Sequence, residues 1–253
     1  MTRSLQTSNQ NQKTLLREIL TKITQIIQNR GRALVVFDLD STLFDVSPRL
    51  QKILHDFAHN PDNQSRFPES CEILKEAETL RSDWGIKNAL VRAGLDNHHP
   101  DFHLALKTFW LESFFSNHYL QYDKPYEGAA EYVNQLHQAG AEIVYLTGRD
   151  IPRMNQGTLD VLKKWNFPIH VPRAEVVLKP EKGLDDAQFK TDWFAALPEG
   201  VYQGIWFFEN EPVNVNLVRD THEHVEIVFF ESTHAGKAEP PTELPRIMHY
   251  LLD

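Results

Sequence analysis

Asp38 and Asp40 stand two positions apart, separated by Leu39, directly after the apolar run Leu-Val-Val-Phe at residues 34–37. An extended chain turns residues two apart to the same side, so both carboxylates can face one point while Leu39 points back into the protein. Two acids so close repel each other unless a cation or a shared proton lies between them. Either occupant makes the pair a chemical site. The plainer reading, a helix N-cap beside a solvated loop acid, fits poorly with the buried run in front of it.

Three more polar clusters follow in order. Thr147, Gly148 and Arg149 come after the apolar residues 141–146. The Thr147 hydroxyl and an amide of the closely approachable Gly148 backbone could hold an anionic oxygen, whereas Arg149 is explained equally well by a structural ion pair. Lys179, Lys182 and Lys190 are the lysines that compete for a positive contact. Lys190 is favoured because it lies early in a helix whose Phe189, Trp193 and Leu197 face the core, while the other two sit in a proline and glycine loop. The last cluster is Glu209, Asn210 and Glu211, after the apolar residues 204–208, with Asn214 one helical turn on.

The elements that must position these clusters are readable from periodicity. Residues 34–37 lack alternation and are too short for a helix, which predicts a strand buried on both faces. A polar segment to about Asn11 precedes a helix whose stripe is Leu15, Leu16, Ile19, Leu20, Ile23, Ile26 and Ile27. Ser47 is the expected N-cap of a helix beginning at Pro48. Residues 48–59, 69–82, 84–93 and 101–120 carry helical patterns without a strand between them, separated by turn-formers at 60–63 and 96–100. Their bulky members, Trp84, Phe102, Phe109, Trp110, Phe114 and Phe115, are read as core.

After this insertion helix and strand alternate. Helices are expected at 127–139, 152–165, 186–197 and 213–220, strands at 141–146, 174–178, 204–208 and 225–230, then a short segment near 167–171 and a short terminal helix. The fold class is therefore α/β, a Rossmann-like parallel sheet sandwiched by helices, with a helical insertion after the first strand and ligands at the carboxyl ends of the strands.

Composition narrows the partners. A chain of 253 residues with formal charge −9 lacks the basic surface that nucleic acid or an anionic membrane requires. The single cysteine, Cys71, excludes an internal disulfide and is read as a packing or surface thiol; with no signal peptide or long apolar run, the cytoplasm is the expected location. His99 and His103 are four apart, but Pro100 interrupts them and no third ligand is evident. His222 and His224 are expected in solvent, and His234 could reach the sheet end.

The order of strand-to-Asp38-Leu39-Asp40-Ser41-Thr42, strand-to-Thr147-Gly148-Arg149, a helix-borne lysine and strand-to-Glu209-Asn210-Glu211 resembles the haloacid dehalogenase-like hydrolase superfamily over residues 33 to about 232. The segment around Asp150 looks like its phosphatase branches, and the insertion resembles the cap that many members place over the active site. The resemblance implies a core at 32–46 and 124–253, a helical cap at 47–123 and an N-terminal helix at 1–31 packed on the core. Asp38 would be the nucleophile forming an aspartyl-phosphate, and Asp40 would protonate the leaving oxygen and then deprotonate water. Magnesium held by Asp38, Asp40, Glu209 and Asn210, with Glu211 the alternative to Glu209 and either acting directly or through water, would keep Asp38 ionised while Asp40 holds a proton. Thr147, Gly148 and Lys190 would bind the phosphate. Relatives usually carry an aspartate where this chain has Asn210, a neutral ligand that should weaken the metal.

The expected function is magnesium-dependent hydrolysis of a small-molecule phosphomonoester. A phosphomutase, or an inactive member that binds a phosphorylated ligand, is the alternative. The sequence leaves the oligomeric state open.

Overall fold

The computed structural model describes residues 2–96 and 99–253, with side chains from residue 11 onward. Part of the expected turn at 96–100 lies outside the described residues. The chain runs α1 (Thr2–Gln28), β1 (Ala33–Phe37), β2 (Phe44–Asp45), then five helices α2 (Ser47–His59), α3 (Pro61–Arg66), α4 (Pro68–Lys75), α5 (Lys87–Arg92) and α6 (Pro100–Phe114). A 3-10 turn (Tyr119–Tyr122) leads to β3 (Lys124–Pro125), α7 (Ala129–Gln138), β4 (Glu142–Asp150), α8 (Ile151–Lys164) and β5 (Ala174–Lys179). The remainder is α9 (Asp186–Ala195), β6 (Gly204–Glu209), α10 (Pro212–Thr221), β7 (Val225–Phe230) and β8 (Arg246–Ile247).

β1 sits near the middle of a six-stranded sheet ordered β5-β4-β1-β6-β7-β8, and every neighbouring pair in it is parallel. All five of its residues are buried, for a reason visible in its neighbours. Val35 and Phe37 join the apolar cluster under α1, α7 and α8, with Leu16, Ile19, Ile23, Val133 and Leu162. Leu34 and Val36 join the cluster under α9 and α10, with Phe194, Val215 and Val218. A strand covered on both faces gains nothing from a polar alternate position, which is why the run reads as continuously apolar. The sheet sandwiched by helices is the α/β class expected from the alternation.

α1 is anchored by the same logic. Leu16, Ile19 and Ile23 are buried against the sheet, each stabilising by about 1.5–3 kcal/mol relative to exposure. The helix begins at Thr2 rather than after a polar segment; nothing between there and Asn11 is a proline or glycine that would stop it.

The helical insertion has a core of its own, in which Leu50, Leu54, Phe57, Leu74, Leu90, Phe102 and Leu106 come together. Cys71 is buried there, and burial pushes its thiol up from the ordinary value. The chain leaves the sheet through β2 and returns through β3, which pair antiparallel at Phe44 with Pro125 and Asp45 with Lys124. That two-residue ladder closes the neck between the two units.

Several expectations are corrected. Ser47 is the first residue of α2 rather than its cap; Asp45 Oδ1 takes the hydrogen bonds of the Ser47 amide and hydroxyl, at 2.9 and 2.7 Å. The pattern at 69–82 yields only α4, because Glu76 to Ile86 forms a connecting loop before α5. No helix follows residue 230 among the described residues; the chain instead adds β8 to the sheet edge. His222 is buried, with Nε2 3.0 Å from the Thr191 carbonyl oxygen.

Candidate active site

The carboxyl ends of β1, β4 and β6 converge on one cavity of about 220 Å³. Asp38, Asp40, Thr147, Gly148, Lys190, Glu209 and Asn210 all line it. The Asp38 amide still donates to the Phe208 carbonyl at 3.0 Å, so the nucleophile candidate rides on the last rung of the ladder. Leu39 turns back into the core and is fully buried. Ser41, at φ 64°, then reverses the chain, and the Thr42 hydroxyl donates to Asn210 Oδ1 at 2.8 Å.

Lys190 is buried on α9 and donates to Asp38 Oδ1 and Glu209 Oε2, each at 2.6 Å. Lys182 stays on the exposed loop, and Lys179 pairs with Asp186 at 2.5 Å. One lysine thus faces two carboxylates. Burial first, then the charge of Glu209, pushes the Asp38 carboxyl up to about 7 against the opposing pull of Lys190. Burial alone would lower Lys190, but Asp38 and Glu209 together hold it above the usual lysine value.

Glu209 has both oxygens engaged. Oε1 accepts from the amides of Asn210 and Glu211 at 2.8 and 2.9 Å, and Oε2 accepts from Asn214 Nδ2 at 3.0 Å as well as from Lys190. Asn210 is oriented by Thr42 on its oxygen and by the Thr233 carbonyl, which accepts from its Nδ2 at 2.7 Å. A carbonyl oxygen can accept twice, so Asn210 Oδ1 retains a lone pair.

Asp40 has different company. Arg149 donates to it through Nη2 at 2.6 Å and Nε at 3.2 Å, and Arg49 Nη2 reaches it at 2.5 Å. Both arginines also hold the fully buried Asp123, Arg49 in a two-pronged contact at 2.7 and 2.6 Å and Arg149 at 2.9 Å. Burial by itself would raise Asp40; Arg149 and Arg49 outweigh it and hold the carboxyl well below the usual range. For Asp123, burial outweighs the same two cations and the shift is upward. Without an ion in place, the proton affinities are therefore the reverse of those expected, since Asp38 rather than Asp40 holds a proton more tightly.

Gly148 is required by close approach. A Cβ there would lie 2.6 Å from Asp186 Oδ2, so no other residue fits without moving that side chain. β4 continues through the Thr-Gly-Arg segment to Asp150, with a register shift against β5 between Thr147 and Asp150 that turns Arg149 toward Asp40.

Sequence reading did not find Arg49, Asp123 or the aromatic wall. The one available signal was position: Arg49 and Asp123 lie just inside the two ends of the insertion. Of the aromatics read as core, Phe102 is buried and Phe109, Trp110 and Phe114 pack against the same cluster; Trp110 and Phe114, with Phe115 and the 53% exposed Trp84, also line the cavity.

Among the described residues, no three His, Cys, Asp or Glu side chains are grouped so as to hold a metal ion. The donors at the site are of another kind: Asp38, whose Oδ1 is taken by Lys190, the oriented amide oxygen of Asn210, and Glu211 Oε1, which is buried in the cavity lining without a hydrogen-bond partner among the described residues. An oxygen-only set with two carboxylates and an amide suits magnesium, which keeps several waters. The shortage of positive charge around Asp38 and Glu209 agrees with a cation binding there.

A family model for haloacid dehalogenase-like hydrolases matches residues 33–181, more than half of the chain. The chain belongs to that family and is a hydrolase of its class. No curated protein matches it. Among solved structures, a Clostridium difficile protein assigned as a phosphatase is 11% identical, with TM-score 0.52 over 79% of this chain and 86% of the other. A Haemophilus somnus protein assigned as a phosphoglycolate phosphatase is 11% identical, with TM-score 0.49 over 86% and 94%. The magnesium-bound HAD-hydrolase YfnB from Bacillus subtilis, likewise named by assignment, is 11% identical, with TM-score 0.49 over 87% and 95%. At such identities the likeness is one of fold. No helix among the described residues is long and apolar enough to cross a membrane.

Proposed function

We propose that the protein is a magnesium-dependent phosphatase that hydrolyses a small-molecule phosphomonoester through an aspartyl-phosphate on Asp38. The observation that carries the reading is the placement of Asp38 at the end of β1, one oxygen fixed by Lys190 and the other free of hydrogen bonds among the described residues, in a cavity shared with Thr147 and Asn210. A carboxylate held in this way needs little reorganisation to attack phosphorus.

In the first half, an Asp38 oxygen bonds to phosphorus while the ester P–O bond breaks and its electron pair goes to the leaving oxygen. That oxygen takes a proton through Asp40. In the second half, Asp40 accepts a proton from water, the water oxygen bonds to phosphorus, and the aspartyl P–O bond breaks to return Asp38 and release phosphate. Arg149 and Arg49 keep Asp40 ionised, the form the second half requires. For the first half the proton must arrive with the ester, whose second pKa is near ~6. Thr147 and the Gly148 amide would hold phosphoryl oxygens, with Lys190 beside them.

Magnesium would be held by Asp38 and Asn210, with Glu211 Oε1 available beside them, because the Asp40 carboxylate is taken by arginines and Glu209 has no oxygen to spare. When bound, the ion supplies positive charge against the phosphoryl oxygens. Glu209 is a positioning residue that acts through Lys190 and Asn210. The helices at 47–123 act as a cap over the cavity, the partner is a small phosphorylated molecule rather than nucleic acid or membrane, and the location is the cytoplasm.

Phosphate release from a panel of phosphomonoesters, with and without magnesium, tests this reading. Release that depends on magnesium and disappears in Asp38→Asn is the expected result. Isomerised ester without free phosphate would identify a phosphomutase, and no turnover of any ester would leave a binding protein.

A further inference from the structure

The cavity has two walls of opposite character. The core contributes polar groups, namely Asp38, Thr147, Lys190 and Asn210. The facing wall comes from the helical insertion and is made of Leu50, Trp84, Trp110, Phe114 and Phe115. If phosphoryl oxygens lie on the first wall, whatever is esterified to them meets the second.

The cations among the lining residues are already engaged. Arg149 is engaged by Asp40 and Asp123, Lys190 by Asp38 and Glu209. Asp83, which also lines the cavity, is held by Arg92 through both oxygens at 2.6 and 2.5 Å. A second anionic group on the substrate would therefore find no uncommitted cation among the described lining residues, and would pay the desolvation of an unpaired charge. A cationic group fares no better at the inner rings. The Arg49 and Arg153 guanidinium carbons lie 4.3 and 5.0 Å from the centroids of Phe114 and Phe115, so those rings already carry a cation. What the wall offers is apolar ring surface. At about 220 Å³ the cavity is below the ~300–1,000 Å³ of sites for drug-sized ligands, which limits the group to about one ring.

We propose that the leaving group of the substrate carries a single aromatic or similarly flat apolar ring and no second anionic group, seated against Trp84 and Trp110. This deepens the phosphatase reading and rests on it. Trp84 is the sharper probe, because it is half exposed and contributes little to the core of the insertion.

The test compares benzyl phosphate, glycerol phosphate, choline phosphate and phosphoglycolate in the presence of magnesium. All four release an aliphatic alcohol, so differences in kcat/KM report recognition rather than leaving-group acidity. Benzyl phosphate is expected to exceed each of the others by at least about tenfold, and Trp84→Ala to cut its advantage over glycerol phosphate by about tenfold, chiefly through KM, while Trp84→Phe retains most of it. Titration of the full chain with benzylphosphonate and with phosphonoacetate, followed by tryptophan fluorescence, gives a readout independent of turnover. Benzylphosphonate is expected to bind at least about tenfold tighter. Preference for choline phosphate, glycerol phosphate or phosphoglycolate, tighter binding of phosphonoacetate, or an unchanged ratio in Trp84→Ala overturns the inference. Tight benzylphosphonate binding with no hydrolysis of any ester would instead sink the phosphatase reading and leave the ring pocket standing.

Discussion

Two buried ionic clusters meet in the same cavity and are balanced differently. Around Asp38 one cation, Lys190, serves two carboxylates. Around Asp40 two cations, Arg49 and Arg149, serve two carboxylates, Asp40 and Asp123. The second cluster is complete within the protein and ties both ends of the insertion, through Arg49 and Asp123, to the strand ends that carry Asp40 and Arg149. The first is short of positive charge, and burial, with the charge of Glu209 added to it, raises the Asp38 proton affinity against the single cation. The difference separates a joint from a site that calls for a further cation: matched buried charges hold geometry, while an unmatched one has work for a ligand.

The widest test of that contrast is Asp38→Asn. It should lower phosphate release by about a thousandfold or more and leave the urea midpoint close to that of the parent protein or above it. Asp123→Ala should do the opposite in kind. It leaves two buried guanidiniums facing Asp40 alone and should cost about 3–5 kcal/mol of stability, read from the same urea curves. If Asp123→Ala unfolds no more easily than the parent, the second cluster is not the joint.

The pH dependence of the metal-free protein sharpens the comparison further. Native Asp38 keeps its proton up to about 7, whereas an unfolded aspartate loses it near ~3.9. Between those values the native state binds more protons, so this contribution to stability is full at the acid end and is lost as pH rises through about 7. A fall on the order of 4 kcal/mol is expected, flattened in Asp38→Asn and offset by magnesium more strongly at alkaline than at acid pH. Asp40 has the reverse sign. Its carboxyl is held low, so its contribution is present above the unfolded value and lost only in strong acid.

The smallest effect is expected from Thr42→Val, which removes the hydrogen bond to Asn210 Oδ1. About 1 kcal/mol of stability should be lost, with a several-fold rise in the magnesium needed for half-maximal activity. No change in the magnesium requirement would separate Asn210 from the metal.

Much of the fold was legible because its signals are local. The buried strand before Asp38, the apolar stripe of α1 and the alternation of helix and strand after residue 127 each follow from side-chain periodicity, a property of a dozen neighbouring residues. The failures are where a longer-range contact decides. β8 is two residues long and exists because β7 offers it an edge, and the loop at 76–86 interrupts a helical pattern to bring Trp84 to the cavity.

The site divides in the same way. Local pattern was enough to pick out the groups that could act, since Asp38, Asp40, Thr147, Gly148, Lys190 and Asn210 follow strands or helices whose direction in a parallel sheet brings their ends together. What each of them touches is set by the packing of the whole chain. That Asp40 faces two arginines, that Lys190 bridges Asp38 and Glu209, and that four aromatics of the insertion line the cavity, two of them while also packing on its core, all depend on partners far apart in the chain. Charge pairing and burial are set by distances in space, and the residues that supply them, Arg49 and Asp123 above all, carry no periodic mark in sequence.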